Sequence, residues 1–249
     1  MNTSPTGPNQ PFKNLGSSAA LFAAAAIAFG AWSMLGSTAS AEQALLLPAP
    51  VFESAPTAQG PQTVVFAGGC FWGVQAVFQH TRGVLNAVSG YAGGGKDTAN
   101  YNAIGSGRTG HAESVQVTYD PTQVSYGKLL QIYFGVAHDP TQLDRQGPDT
   151  GTQYRSAVFY KDDSQKQVTE RYMAQLEASK IFKDKIVTQL VPLSGAIMFY
   201  QAEGYHQDYA TLHPNQPYIA QFDLPKLASL KRVMPNVWRE TPVLVAAKP

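Results

Sequence analysis

Short apolar runs alternate with helix-like segments from residue 62 onward, and this alternation most constrains the fold of the 249-residue chain. The apolar run 64–67 and the alternating run 113–119 predict strands. Residues 71–79 and 126–137 carry apolar side chains at helical spacing. Further strands are predicted at 84–91, 156–160 and 186–191, and further helices at 164–182 and 226–234. Because the links are short, the sequence predicts one α+β or α/β domain with helices packed on a sheet.

The charge of the chain is nearly balanced, with 18 Lys and Arg against 17 Asp and Glu. Charged residues make up 14% of the sequence, well below the roughly 25% of an average globular protein. No basic patch or tail suggests a nucleic-acid partner. The single cysteine excludes an internal disulfide framework and any zinc site made of several cysteines.

The first 41 residues differ from the rest. Residues 1–14 carry one charge, Lys13, and residues 15–36 are uncharged and rich in Ala and Gly. The small residues that end at Ala41 complete the pattern of a secretory signal cleaved after Ala41, which predicts a periplasmic protein. The alternative is a retained membrane anchor formed by residues 15–36, since that stretch is long enough to span a bilayer.

A linker is predicted at residues 42–61, which hold five prolines or glycines and little periodicity. The folded domain is therefore expected to occupy residues 62–249.

Cys70 lies between a predicted strand and a predicted helix, directly after two glycines. At a helix N-terminus, unpaired N–H groups and the helix dipole stabilise a thiolate, which predicts a lowered thiol pKa. A buried, inert cysteine is the common alternative. The predicted export favours a reactive thiol, because an unpaired cysteine in an oxidising compartment is a liability unless it is used.

Four ordered segments resemble the A-type peptide methionine sulfoxide reductases. The first is GGCFWG at 68–73, and the likeness spans about 64–220. The others are TGHAE at 109–113, the loop segments HDPT at 138–141, QGPD at 146–149 and GTQYRS at 151–156, and AEGYHQDY at 202–209. The resemblance implies a two-layer α/β sandwich, a ferredoxin-like plait with additions, in a monomer that needs no metal or organic cofactor. It also implies reduction of free or peptide-bound methionine S-sulfoxide.

The resemblance also implies roles for individual residues. Cys70 would attack the sulfoxide sulfur and become a sulfenic acid, as sulfoxide reduction by a thiolate requires. The implied catalytic partners are Glu113 as proton donor, Tyr101 and Tyr154 as donors to the oxygen, and Asp149 as an orienting group. The implied substrate-binding residues are Phe71 and Trp72, which would hold the methyl group, and His206 and Tyr209, which either line the site or form a buried structural pair.

The chain departs from many members of that family because it has no recycling cysteine near the C-terminus. A sulfenic acid on Cys70 would therefore need an external thiol, either a thioredoxin-like protein or a small molecule. Residues 223–249 lie where relatives carry recycling segments, and the sequence assigns them no role.

A papain-like cysteine hydrolase is the competing interpretation. His206 and His213 follow Cys70 by 136 and 143 residues, within the roughly 130–150 residues at which such enzymes place their base. This interpretation leaves the segments at 109–113 and 151–156 unexplained.

Overall fold

The computed structural model describes residues 44–53, 60–195 and 197–245. Its strands are β1 Gln62–Gly68, β2 Val84–Ala92, β3 Ala112–Tyr119, β4 Arg145–Gln146, β5 Asp149–Thr150, β6 Ser156–Tyr160, β7 Gln189–Pro192 and β8 Phe199–Gln201. Its α-helices are α1 Phe71–Gln79, α2 Tyr101–Ile104, α3 Tyr126–Ile132, α4 Asp163–Ser179, α5 Tyr209–Leu212 and α6 Leu224–Val233. Two π-helical segments, Tyr133–Ala137 and Ile219–Asp223, adjoin α3 and α6.

Six strands form one mixed sheet in the order β7-β6-β1-β3-β2-β8, and β4 and β5 form a separate pair. The pairs of the large sheet are antiparallel except for β6 with β7. Helices α1, α3, α4 and α6 contribute to the main core on one face of this sheet. The two-layer α/β sandwich is thus confirmed. The more specific ferredoxin-like assignment stays a prediction, and the four central strands follow the order β6-β1-β3-β2.

The main core fixes the end of β1, from which the chain enters α1. Phe66 of β1 stacks on Phe78 of α1 at 5.1 Å and on Tyr133 at 4.7 Å between ring centroids. The Tyr133 hydroxyl donates to the carbonyl of Ala67 at 2.6 Å. Because these contacts are buried, the residues that follow Gly68 are held in a defined place.

Local sequence signals account for several element boundaries. Ser125 caps α3, as its position before the apolar run predicts. Helix α4 ends three residues before the end of the predicted helix 164–182, because Lys180 adopts a left-handed φ of +52°. The predicted loop 97–110 contains the short helix α2, which Asn100 caps. One turn of helix is too short to produce a periodic pattern that the sequence reveals.

Residues 44–53, here called the N-terminal strap, contain no helix or strand, yet they pack against the domain. Leu47 is 2% exposed and belongs to the main core. The Tyr172 hydroxyl donates to a strap carbonyl at 2.8 Å, and Glu53 accepts a 2.7 Å hydrogen bond from the side chain that caps α3. The prediction that residues 42–61 are only a linker is therefore wrong for the strap. Proline and glycine content argues against regular structure but does not exclude docking.

The predicted signal peptide, residues 1–41, and the alternative anchor, residues 15–36, lie outside the described residues. Within the described part of the chain, no helix combines the length and apolar character needed to cross a membrane.

Candidate active site

Cys70 lies at the junction of β1 and α1, as the sequence predicts. Gly69 has a φ of +86°, and a Cβ atom there would lie 2.4 Å from Gln146. Only glycine therefore fits this turn. Cys70 occupies the N-cap position of α1 and is a free, nearly buried thiol.

The protonation of Cys70 differs from the sequence prediction. Burial raises the pKa of the thiol well above its usual value, and the nearby carboxyl of Glu113 raises it further. The backbone N–H of Trp72 acts in the opposite direction but does not offset these effects. The predicted lowering of the pKa by the helix N-terminus is therefore wrong for the resting protein, because desolvation outweighs the helix dipole.

Glu113 lies beside Cys70 at the start of α1. Strand β3 carries it, and it is 3% exposed. Its Oε2 accepts a 3.0 Å hydrogen bond from the backbone N–H of Phe71. Burial raises the pKa of this carboxyl to about 8, although the Phe71 N–H opposes the shift. Glu113 is thus protonated near neutral pH, as a general acid must be.

Tyr101 and Tyr154 present two phenol hydroxyls to the same space. Tyr101 begins α2, and Tyr154 ends the 3₁₀ turn Thr152–Tyr154. Among the described residues, neither hydroxyl has a hydrogen-bond partner. Burial raises the pKa of both phenols. Both groups therefore keep their protons and are free to donate to a ligand.

Asp149 and Tyr218 form a hydrogen-bonded pair in which the Tyr218 hydroxyl donates to Oδ2 of Asp149. Burial raises the pKa of Asp149, and this hydrogen bond opposes the rise. Tyr218 faces Trp72 edge-on, with 6.2 Å between ring centroids. Sequence reasoning missed Tyr218, since the only signal was the aromatic content of residues 192–222.

His206 and Tyr209 support Trp72 from outside the cavity. Tyr209 stacks on the indole at 4.0 Å between centroids with an interplanar angle of 16°. The indole N–H of Trp72 donates to Nδ1 of His206 at 3.2 Å. Neither His206 nor Tyr209 is among the lining residues of the cavity. The expectation that they line the site is therefore not met. They do not match the alternative of a buried structural pair either, because Tyr209 is half-buried, and what they share is contact with Trp72.

The cavity encloses about 180 Å³. Its wall combines one thiol, two carboxyls, three phenols and two further aromatic rings. The lining residues are Cys70, Phe71, Trp72, Tyr101, Glu113, Asp149, Tyr154 and Tyr218. Such a wall offers a nucleophile, a proton donor, hydroxyl donors and an apolar surface for a small ligand group.

The sequence profile of the peptide methionine sulfoxide reductase family matches residues 62–236. The chain belongs to this family. A peptide methionine sulfoxide reductase MsrA 2 of Mesorhizobium japonicum is 57% identical over 188 residues, which are 76% of this chain and 95% of the relative. A protein of the same name from Synechocystis sp. is 48% identical over 190 residues, 75% of this chain and 87% of the relative.

Two solved structures resemble this reductase. Methionine sulfoxide reductase A of Corynebacterium diphtheriae is 34% identical with a TM-score of 0.56, and the match covers 72% of this chain and 91% of that protein. Reduced Mxr1 from Saccharomyces cerevisiae is 31% identical with a TM-score of 0.56, over 63% of this chain and 87% of that protein. The reductase is thus a peptide-methionine (S)-S-oxide reductase with a mixed α/β fold.

The geometry gives the hydrolase interpretation no base. The Nδ1 atom of His206 accepts a hydrogen bond from Trp72, and His213 is exposed and contacts Tyr209 in a tilted arrangement, with 4.3 Å between ring centroids. The ionisable side chains that act on Cys70 are carboxyls, not imidazoles. The competing interpretation is wrong.

Proposed function

We propose that this reductase converts methionine S-sulfoxide to methionine through a cycle in which Cys70 is the only cysteine of the enzyme that reacts. One observation carries the proposal: a single cavity brings the thiol together with a protonated carboxyl and two unpaired phenol hydroxyls. Sulfoxide reduction needs these three functions, because the attacked oxygen gains negative charge as sulfur accepts the nucleophile.

In the first half of the cycle, Cys70 loses its proton to solvent, from which Glu113 is later reprotonated, and the thiolate attacks the sulfoxide sulfur. Glu113 gives its proton to the sulfoxide oxygen, while Tyr101 and Tyr154 donate hydrogen bonds to that oxygen. The oxygen moves to the sulfur of Cys70 as a sulfenic acid, and methionine leaves reduced.

The aromatic residues hold the substrate. The indole of Trp72 and the ring of Phe71 provide the apolar wall for the methyl group. Asp149, held by Tyr218, keeps the polar side of the cavity in place.

In the second half, an external thiol restores Cys70. The thiol attacks the sulfenic sulfur and displaces the oxygen as water, which leaves a mixed disulfide. A second external thiol releases Cys70, so two thiols are oxidised to one disulfide for each sulfoxide reduced. An external donor, a thioredoxin-like protein or a small thiol, supplies these electrons because the chain has one cysteine.

The full-length protein is tested with dithiothreitol and each epimer of methionine sulfoxide. We expect loss of the S epimer and no loss of the R epimer. Cys70→Ser should abolish the activity without unfolding the protein, because a hydroxyl at its normal pKa is a poor nucleophile. Loss of the R epimer alone, or clear turnover by the serine variant, would contradict the proposal.

Export to the periplasm is part of the proposal and rests on the sequence of residues 1–41. N-terminal sequencing of the protein from a secreting host tests it. A mature chain that begins at Glu42 supports cleavage after Ala41, and an intact membrane-bound chain supports the anchor at residues 15–36.

A further inference from the structure

Asp223 is a buried carboxylate against the first turn of α1. It ends the π-helical segment Ile219–Asp223 and directly precedes α6. Its side chain is 1% exposed. A Cβ atom on Gly73 would lie only 2.1 Å from Oδ1 of Asp223. Gly73, the last glycine of the GGCFWG segment, has no side chain and therefore leaves the space that the Asp223 carboxylate fills.

Both oxygens of Asp223 are buried without a hydrogen-bond partner in the described structure. Asp223 stands at the N-cap position of α6, where an aspartate usually accepts from the helix amides, but its side chain makes no such bond. Its nearest cation is Lys226, whose Nζ lies 3.9 Å from Oδ1 and which is itself buried. The fold thus holds the Asp223 carboxylate against α1 at a desolvation cost that hydrogen bonds to the amides of α6 would have reduced.

This position is one helical turn from the nucleophile. Residues three apart lie on the same face of a helix, and a side chain in the first turn points toward the helix N-terminus. The carboxylate of Asp223 fills the space left by the absent side chain of Gly73, three residues after Cys70. The negative charge of Asp223 raises the pKa of the Cys70 thiol. Burial raises the pKa of Asp223 itself to about 6, so the group is mostly ionised at pH 7.

Other groups also face Cys70, and their effects must be separated from that of Asp223. Those with ionisable side chains are Glu113 from β3, Asp149 from β5, Tyr101 from α2, Tyr154 from the 3₁₀ turn and Tyr218 before the π-helical segment. None of these groups carries positive charge. The cation beside Asp223 is Lys226, which favours the ionised forms of Asp223 and Asp149. Loss of Lys226 leaves the negative charge of Asp223 without its ion-pair partner, so loss of Asp223 and loss of Lys226 should shift the pKa of Cys70 in opposite directions.

We propose that Asp223 is a positioning residue for Cys70: its buried negative charge keeps the resting cysteine in the thiol form and so makes it slow to react with peroxides. The inference rests on the proposed function, in which Cys70 is the nucleophile. A one-cysteine enzyme has no internal thiol to trap its sulfenic acid, so adventitious oxidation leads on to irreversible sulfinic acid. Susceptibility to oxidation follows thiolate character. Asp223 thus slows the reaction of the resting Cys70 with oxidants that attack a thiolate.

The test measures alkylation of Cys70 by iodoacetamide between pH 6 and pH 11 in the full-length protein. Intact mass reports the label directly, because the chain has one cysteine. Asp223→Asn should move the profile to lower pH. If its midpoint falls by about one pH unit, alkylation at pH 8 should be about tenfold faster. Oxidation by hydrogen peroxide should accelerate by the same factor. Lys226→Met should move the profile to higher pH.

Asp208→Asn is the matched control. Asp208 is a buried aspartate that accepts from Gln79 at the other end of α1, so its replacement should leave the profile unchanged. Loosened packing would shift the alkylation profiles of the Asp223 and Lys226 variants in the same direction along the pH axis. The proposal requires shifts in opposite directions. A profile of Asp223→Asn that coincides with the wild type, or moves to higher pH, overturns the proposal. If that variant does not fold, the Lys226→Met profile decides: a shift to higher pH supports the proposal, and no shift overturns it. Because the alkylation test does not measure sulfoxide reduction, a failure of this proposal is distinguishable from a failure of the proposed function.

Discussion

The backbone N–H of Phe71 donates a 3.0 Å hydrogen bond to Oε2 of Glu113. This bond ties Glu113, the proposed proton donor, to the residue that follows Cys70, so the geometry between Cys70 and Glu113 is set by the first turn of α1. The bond stabilises the ionised carboxyl, yet burial dominates and the pKa of Glu113 stays near 8. The site therefore rests with its thiol and its acid both protonated.

Glu113→Gln should remove the acid while keeping the shape of the side chain. In the proposed mechanism, the reaction requires an ionised Cys70 and a protonated Glu113. In the wild type, the single-turnover rate should rise with pH up to about 8 and then level off. Above that pH, each gain in Cys70 thiolate is matched by loss of the Glu113 proton. In the variant, the rate at pH 7 should fall by about 10²–10⁴-fold.

Quenched-flow measurement of methionine formation from pH 6 to pH 10 checks both points. The variant should show no break near pH 8. If the pH–rate profile of the variant still changes slope near pH 8, that change belongs to the titration of another group, and Glu113 has a structural role.

The position of the nucleophile could be predicted from the sequence, but its protonation could not. The glycines before Cys70 and the apolar periodicity after it are local signals, and they placed the cysteine at a helix start. The pKa depends on how deeply the site is buried and on carboxyls from other elements. Those electrostatic interactions join residues far apart in the chain, such as Cys70 and Asp223, so no local pattern reports them.

The one-cysteine scheme predicts a burst of one equivalent of methionine when the enzyme meets sulfoxide without reductant. The oxygen remains on Cys70, and no second thiol of the chain can displace it. A dimedone-type probe should then label Cys70, and mass spectrometry should find no intramolecular disulfide. Added dithiothreitol should restart turnover. Repeated turnover without any reductant would falsify the scheme.

His206→Leu should weaken substrate binding more than it slows chemistry. The change removes the acceptor for the indole N–H of Trp72 and leaves a donor unpaired, at a cost of about 1–3 kcal/mol. We expect KM for the sulfoxide to rise about tenfold, since ~1.4 kcal/mol corresponds to that factor, with kcat nearly unchanged. Steady-state kinetics with dithiothreitol provide the measurement.

His206→Gln retains an acceptor and should recover part of the affinity. His213→Leu is the control, because His213 is exposed and contacts Tyr209 rather than Trp72. Equal effects of the two leucine variants would show that His206 has no special role in placing Trp72.

The docking of the N-terminal strap is a second feature that the sequence does not predict. Residues 44–53 have no periodicity, and only the three-dimensional structure shows that one apolar side chain of the pair Leu46 and Leu47 enters the core. Leu47 is 2% exposed and Leu46 is 63% exposed. Each of the two has another leucine next to it in the sequence, so composition does not distinguish the two positions.

Leu47→Ala should therefore destabilise the enzyme, while Leu46→Ala should not. Removing a buried leucine side chain costs about 2–5 kcal/mol in the free energy of unfolding, whereas an exposed position away from special contacts changes it by roughly 0.5 kcal/mol or less. Urea unfolding of both variants, followed by circular dichroism, measures the difference. The Leu47 variant should unfold at a lower urea concentration with a similar slope. Equal midpoints for the two variants would mean that the strap adds nothing to the stability of the domain in solution.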